Sequence, residues 1–231
     1  MSLNVRPVVS ALRRNRTGAL LVVLEIAIAL AVMVNAAWIV AQRVHAIDQP
    51  TGIDYRNIFA IGVSGVSGEF NASAAEQQDL AYLRSLPGIV SATASSAVPL
   101  APHGQGGLLW RDPDERGPSF TVRSMQMDEH GLDTLAVHLI AGRGFSAADI
   151  VPYSTDLSLT AHEVLITQSF ARKLFPHDSA LGKPLYPGDG SMLTVVGVTS
   201  DFVASVVRTD PTYDALVFPQ TPGAEGIYFL L

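Results

Sequence analysis

The sequence predicts an α+β protein: one N-terminal transmembrane helix, then a split α/β domain of β-α-β type carrying an inserted, mostly β subdomain. Three observations lead there. Residues 18–41 are an apolar run with 12 Leu, Ile or Val side chains, interrupted by Glu25 and Asn35. Two strand–helix–strand patterns follow, far apart in the chain. Between them lies a Gly- and Pro-rich stretch of different character. The expected organisation is an N-terminal tail at 1–17, the membrane helix at 18–41, a discontinuous α/β subdomain at 53–100 and 160–231, and the insertion at 101–159.

As a helix rising about 1.5 Å per residue, the run 18–41 reaches roughly 36 Å, enough for a hydrocarbon core of about 30 Å with some tilt. Aliphatic side chains worth about −0.3 to −0.6 kcal/mol each outweigh one carboxylate at roughly +3 kcal/mol, so Glu25 does not prevent insertion. "VNA" and "VHA" resemble signal-cleavage patterns, yet the run exceeds the roughly 7–15 residues of a signal h-region, which favours a retained anchor. Arg6, Arg13, Arg14 and Arg16 precede the run with no acid among them, whereas Arg43 and Arg56 after it are balanced by Asp48 and Asp54. The positive-inside rule therefore places the N-terminus in the cytoplasm. Everything after residue 41 lies across the membrane, which for a bacterial inner membrane is the periplasm. Glu25 stands about 10 Å into the span and is a candidate for helix packing or for reaching the cytoplasmic interface. Asn35 is a candidate interhelical hydrogen-bonding residue, and Trp38 an interfacial anchor.

The elements follow in order. Residues 48–57, "DQPTGIDYRN", form a polar exit, and "IFAIGVS" (58–64) reads as a strand. "SAAE" sets Glu76 three residues after Ser73, the spacing of a capping box, so Ser73 is expected to open a helix that Pro87-Gly88 ends. "IVSATASSAVPL" completes the first unit. The insertion holds "GGLLWR", "SFTVRSMQM", a short acidic helix near "DEHGLDTL", and "AVHLIAGRGF". In the second unit "EVLITQ" is a strand, "SFARKLFP" a helix, "ALGKPLY" a connection and "MLTVVGVTSDF" a strand. "DALVFPQ" and "GIYFLL" are final strands.

Composition narrows the function. The whole chain carries a net charge of −6, and residues 42–231 hold 11 basic and 20 acidic side chains, a net −9. Such a surface disfavours nucleic acid and anionic lipid faces. With no cysteine there is neither a disulfide framework nor a thiolate metal site. The six histidines, His45, His103, His130, His138, His162 and His177, are never spaced i, i+4. His162-Glu163 and His177-Asp178 are expected as surface pairs. No phosphate loop is present, because "SALGKPL" has Pro184 where a Ser or Thr must hold Mg²⁺. In "GVSGVSG" (62–68) Ser64 is followed directly by Gly65, so the nucleophile-elbow spacing fails. "DPDE" (112–115) reads as a solvated turn, and the "NAS" acceptor pattern at 71–73 overlaps the expected cap. No catalytic, cofactor or metal residue is assigned, and an enzyme is not expected.

The "RRNR" cluster before the span, then "LRSLPGIVSATASSAVPL", "AGRGFSAAD", "VLITQSFARKLFPHDSALGKPL" and "TVVGVTSDF", in that order, resemble the periplasmic core domain of MacB/FtsX-like ABC transporter permeases. The resemblance covers nearly the whole chain. It implies a split α/β porter subdomain with an insertion, standing on a four-helix membrane part. It also implies three further membrane helices beyond Leu231, so the chain is expected to be the N-terminal part of a longer permease or a truncated reading frame. The implied partners are a separate cytoplasmic ABC ATPase that handles ATP, a second permease copy or paralogue, a periplasmic adaptor protein and membrane lipid. The implied function is coupling of ATPase-driven motion across the membrane, for export or mechanotransmission. A membrane-anchored ectodomain that binds or senses without transport is the alternative.

Overall fold

The computed structural model describes residues 16–47, 49–64, 72–101, 104–114, 117–154, 161–207, 210–223 and 227–231. The chain divides between Gln49 and Pro50 into two compact units.

The first unit is α1 (Arg16–Ile47), a single helix of 32 residues, about 48 Å long. It begins before and ends after the expected span. Its stretch Arg16–His45 is long and apolar enough to cross a membrane. Leu21, Leu24, Ile28, Val34 and Val40 all stand exposed along it, so within this unit the helix has no apolar stripe covered by protein.

The second unit, Pro50–Leu231, is a mixed helix/sheet domain. Its strands are β1 (Ala60–Val63), β2 (Thr93–Ser95), β3 (Gln105–Trp110), β4 (Phe120–Met127), β5 (Leu139–Gly142), β6 (Glu163–Thr167), β7 (Pro184–Pro187), β8 (Leu193–Thr199), β9 (Ser205–Val207), β10 (Asp210–Thr212), β11 (Ala215–Pro219) and β12 (Ile227–Leu230). Helix α2 (Ala72–Ser85) lies between β1 and β2, α3 (Gly131–Leu135) after β4, and α4 (Gln168–Leu174) after β6; a short 3₁₀ turn spans Ala147–Asp149.

Both β-α-β units form. β6 and β8 are parallel neighbours, with α4 and β7 in the crossover. β1 and β2 both pair antiparallel with β12, so β12 separates the two parallel strands of the first unit. The segment 101–159 is not a separate sheet. β3, β4 and β5 are hydrogen-bonded into the same ten-stranded sheet as both units, and only β9 and β10 pair apart from it.

The pairings close on themselves. β4 pairs β11 in parallel, β11 pairs β6, β6 pairs β8, β8 pairs β7, β7 pairs β3, and β3 returns to β4. Each of the six strands contributes to one buried cluster, with Leu109, Val122, Val164, Leu185, Val195 and Leu216 meeting Phe170 and Leu174 of α4. β2, β12 and β1 extend from this circuit as an open arm, joined to it where Ser95 pairs with Met127. On the arm, Leu80 of α2 packs with Ala92, Ala94, Ile227 and Phe229. A third cluster joins the two through Met125, Met127, Leu135, Phe202, Val217 and Leu230.

Three expectations are corrected. Helix α2 already includes Ala72, so Ser73 lies inside it and does not cap it. Glu76 is 2% exposed, and its Oε2 has no hydrogen-bond partner among the described residues. The local S-x-x-E pattern loses to the packing of α2, which turns Glu76 inward. "ALGKPLY" is more than a connection, since β7 starts at Pro184; a proline is tolerated at the first position of a strand. The His–acid surface pairs do not form: Glu163 pairs with Arg143, and Asp178 lies 4.0 Å from Lys183.

Candidate functional site

The site that connects the two units in sequence is the exit segment, residues 50–57. Only two residues, 48 and 49, separate the end of α1 from the start of the domain. The backbone of this strap is fastened to the domain at several points. Val203 N donates to Thr51 O at 2.8 Å, Asp54 N donates to Leu135 O at 3.3 Å, and Tyr213 Oη donates to Pro50 O at 2.8 Å. Ile53 and Ile58 pack against the cluster of Phe202 and Leu135.

Gly52 makes this close approach possible. Its φ is +73°, a region open to glycine, and a Cβ there would overlap Asp201 O and stand 2.7 Å from Phe202 Cα. Beyond it the strap enters β1, where Phe59 N donates to Leu231 O at 3.3 Å and Leu231 N donates to Phe59 O at 3.1 Å.

The residues that receive the strap are tied in turn to the second β-α-β unit. Asp201 Oδ1 accepts the N–H of Ser169 at 2.6 Å, in the first turn of α4. Tyr213 O accepts the hydroxyls of Thr167 at 2.6 Å and Ser169 at 3.3 Å. Burial, helped by the charge of Asp201, holds the Tyr213 phenol protonated to higher pH than usual. Thr167, Ser169, Asp201 and Tyr213 thus form a polar hub under residues 50–52. The hub has no nucleophile–base pair aimed at a pocket, and what its geometry can do is hold backbone. Among the described residues, no group of three or more His, Asp or Glu side chains could hold a metal ion.

A second polar cluster fastens α2 to the arm. Arg84 donates to Asp128 Oδ2 at 2.6 Å and to Ala92 O at 2.7 and 2.9 Å. Asp128 Oδ1 also accepts Thr93 Oγ1 at 2.6 Å and His130 N at 3.0 Å. Glu76 lies within reach of the Asp128 charge; burial first, and that charge second, push its carboxyl up to about 7. A third cluster, in the "AGRGFSAAD" stretch, sets Arg143 between Asp149, at 2.8 Å, and Glu163. Arg143 and the N–H and hydroxyl of Ser146 hold the Asp149 carboxyl down to about 2.

The residues expected from sequence are placed as follows. Glu25, Asn35 and Trp38 are all exposed on α1. Asn35 and Trp38 share a stripe with Ala27, Leu30, Ala31 and Val34, whereas Glu25 lies on another with Leu21, Leu24 and Ile28. The two polar residues therefore do not converge. Arg16 is the first residue of α1. Arg13 and Arg14 lie outside the described residues, as do His103, Glu115 and Asn71. The hub was not foreseen: it carries no charge pattern or metal spacing. Its only sequence signal is that Thr167, Ser169 and Asp201 fall within "VLITQSFARKLFP" and "TVVGVTSDF".

An apolar helix of membrane length is followed by a mixed helix/sheet domain whose sheet receives the exit strap, the class of a membrane-anchored α+β domain. The MacB-like periplasmic core domain matches residues 19–229, and the chain belongs to that family. The fold is similar to the periplasmic region of MacB from Actinobacillus actinomycetemcomitans, with a TM-score of 0.50 and 18% identity over 80% of this chain and 78% of that one. At that identity the likeness is one of fold. The extracellular domain of the noncanonic ABC-type transporter YknZ from Gram-positive bacteria aligns at a TM-score of 0.46, with 17% identity over 75% of this chain and 83% of that one. A domain of a putative permease protein from Porphyromonas gingivalis gives 0.44, with 19% identity over 79% and 76%. No curated protein sequence matches the chain.

Proposed function

We propose that the chain is the N-terminal part of a permease subunit of a MacB/FtsX-like ABC transporter, whose extracytoplasmic domain moves with its membrane helix and couples ATPase-driven motion across the membrane. The observation that carries this reading is the strap. Pro50, Thr51 and Asp54, which follow the helix closely in sequence, are hydrogen-bonded to the body of the domain. A freely tethered binding module needs no such fastening, and its linkers are commonly long and polar. The arginine-rich flank, Arg13, Arg14 and Arg16, supports a cytoplasmic N-terminus in the inner membrane. The partners in this reading are a cytoplasmic ABC ATPase that alone binds ATP, a second permease copy or paralogue, a periplasmic adaptor and membrane lipid. The chain itself has no enzymatic role and no cofactor.

The absence of cysteine makes a direct test available. Tyr82→Cys, at an exposed position of α2, is introduced into the whole permease expressed with its ATPase. An impermeant maleimide is expected to label it from outside in spheroplasts. The labelling rate is expected to differ between nucleotide-free and vanadate-trapped complexes, and Gly52→Val is expected to remove that difference while the ATPase still co-purifies. Protection from outside labelling defeats the orientation. Failure of any ATPase to co-purify defeats the permease assignment and favours an anchored binding ectodomain. A rate indifferent to nucleotide with the native strap defeats the coupling.

A further inference from the structure

Beside the strap lies a groove of about 480 Å³ that neither the hub nor the clasp at Asp128 uses. Its apolar lining includes Ile58, Phe59, Ile89, Val90, Ala136 and Leu231. Phe59 is 58% exposed and Val90 is fully exposed, so at these two residues the lining is uncovered by the rest of the domain.

The charged groups of the lining are all of one sign. Asp54 and Asp133 stand there, and the lining has no Lys, Arg or His. Asp54 accepts a hydrogen bond from Asn57 Nδ2 at 2.8 Å and feels the charge of Arg56, which stands outside the lining and makes no direct ion pair with it among the described residues. Asp133, in α3, has no ion pair among the described residues. Arg56, close in sequence, lies over the Tyr55 ring with its guanidinium 5.9 Å from the centroid. The groove belongs to a domain whose net charge is −9. An occupant that covers the apolar surface must bring cations to these carboxylates, since an acidic or neutral one would leave them repelled or desolvated.

We propose that this groove binds an extended peptide segment that carries an apolar side chain flanked by lysine or arginine. The apolar side chain covers Phe59 and Val90, and the flanking cations meet Asp54 and Asp133 at the rim. In this arrangement the apolar contact supplies affinity, and the rim charges supply selectivity and salt dependence. Because Asp54 and Phe59 lie on the chain between the strap and β1, an occupied groove holds that connection. The binding claim itself concerns the folded domain and does not rest on the transport reading.

The test uses the full chain in nanodiscs of zwitterionic lipid and two fluorescent, terminally blocked pentapeptides, lysine–leucine–lysine–phenylalanine–lysine and the same peptide with glutamate for lysine. Anisotropy is expected to show saturable binding of the lysine peptide and at least about tenfold weaker binding of the glutamate peptide. Asp133→Asn is expected to weaken binding about two- to fivefold and to flatten its salt dependence, the range of an exposed ion pair. Val90→Ser changes a fully exposed side chain, so folding is preserved while affinity falls. Asp178→Asn, at an exposed carboxylate outside the lining, is the control and should leave affinity unchanged. Equal binding of both peptides overturns the proposal, as does equal loss with Asp178→Asn or indifference to both Asp133→Asn and Val90→Ser. Binding of the lysine peptide to empty nanodiscs of the same lipid as tightly as to loaded ones would assign the signal to lipid and overturn it too.

Discussion

The six-strand circuit and the three-strand arm share one sheet but solve the problem of strand edges differently. In the circuit every strand has two neighbours, and Val164, Ile166, Leu185 and Val195 are fully buried. Closure removes the free edge that an open sheet must protect. The arm ends in β1, which pairs with β12 alone and is exposed over most of its length. Its β2 has three residues. The arm makes up for its small apolar cluster with polar fastenings, namely Arg84 on Asp128, Thr93 on Asp128, and the strap on Val203 and Tyr213. It also tolerates a buried carboxyl oxygen, Glu76 Oε2, with no hydrogen-bond partner among the described residues.

The largest effect should come from the circuit. Phe170 is fully buried and touches residues from all six strands' shared cluster. Phe170→Ala should cost about 3–5 kcal/mol, because neighbours held in a closed circuit collapse poorly into the cavity. Leu80→Ala on α2 should cost less, about 2–3 kcal/mol, since an open arm can settle around the loss. Urea unfolding followed by the fluorescence of Trp110 in β3, with Trp38→Phe removing the anchor's signal, compares the two. A Leu80→Ala cost that equals or exceeds that of Phe170→Ala breaks the contrast.

Next is the fastening of the arm. Asp128 is 9% exposed and satisfies Arg84, Thr93 and the His130 amide together. Asp128→Ala leaves those donors unmet, and should cost about 2–3 kcal/mol. The loss should be local: hydrogen exchange should quicken in α2 and β2 while the amides of β6 and β8 stay protected. Uniform quickening across the sheet would show that arm and circuit unfold as one.

Much of this architecture was legible in the sequence, and what was missed has a common cause. β4, β6, β8 and β11 are runs of β-branched or alternating apolar residues, and the second β-α-β unit follows from the spacing of β6 and β8. Closure of the circuit depends on β4 meeting β11, residues about 90 positions apart, such as Val217 beside Met125. No local pattern reports that, so the segment 101–159 looked separable. The strand from Ile89 to Leu100 shrank to Thr93–Ser95, where it pairs with β12 and, at Ser95, with Met127. The strap hub combines a tyrosine, two hydroxyls and one aspartate from three segments, and in the sequence each of them alone is an ordinary polar residue.

Glu76 sharpens the contrast most finely. Its carboxyl titrates near 4.5 when unfolded and is pushed up to about 7 in the fold, so the folded state holds a proton that the unfolded chain releases between those values. Stability is therefore fullest below about pH 4.5 and declines as pH rises toward 7, where the buried group ionises beside Asp128. At about 1.4 kcal/mol per pH unit the ceiling is roughly 3 kcal/mol, and relaxation of α2 lowers the realised loss to about 1–2 kcal/mol. Arg84, whose guanidinium is already shared between Asp128 and Ala92, does not offset it. Glu76→Gln removes the titration. The variant should melt with the native chain at pH 4.5 and above it at pH 8, and the native chain alone should lose protection in α2 over that interval. Parallel melting curves for the two across pH 4.5–8 would mean that the arm carries no charge burden, and the difference between arm and circuit would reduce to apolar packing.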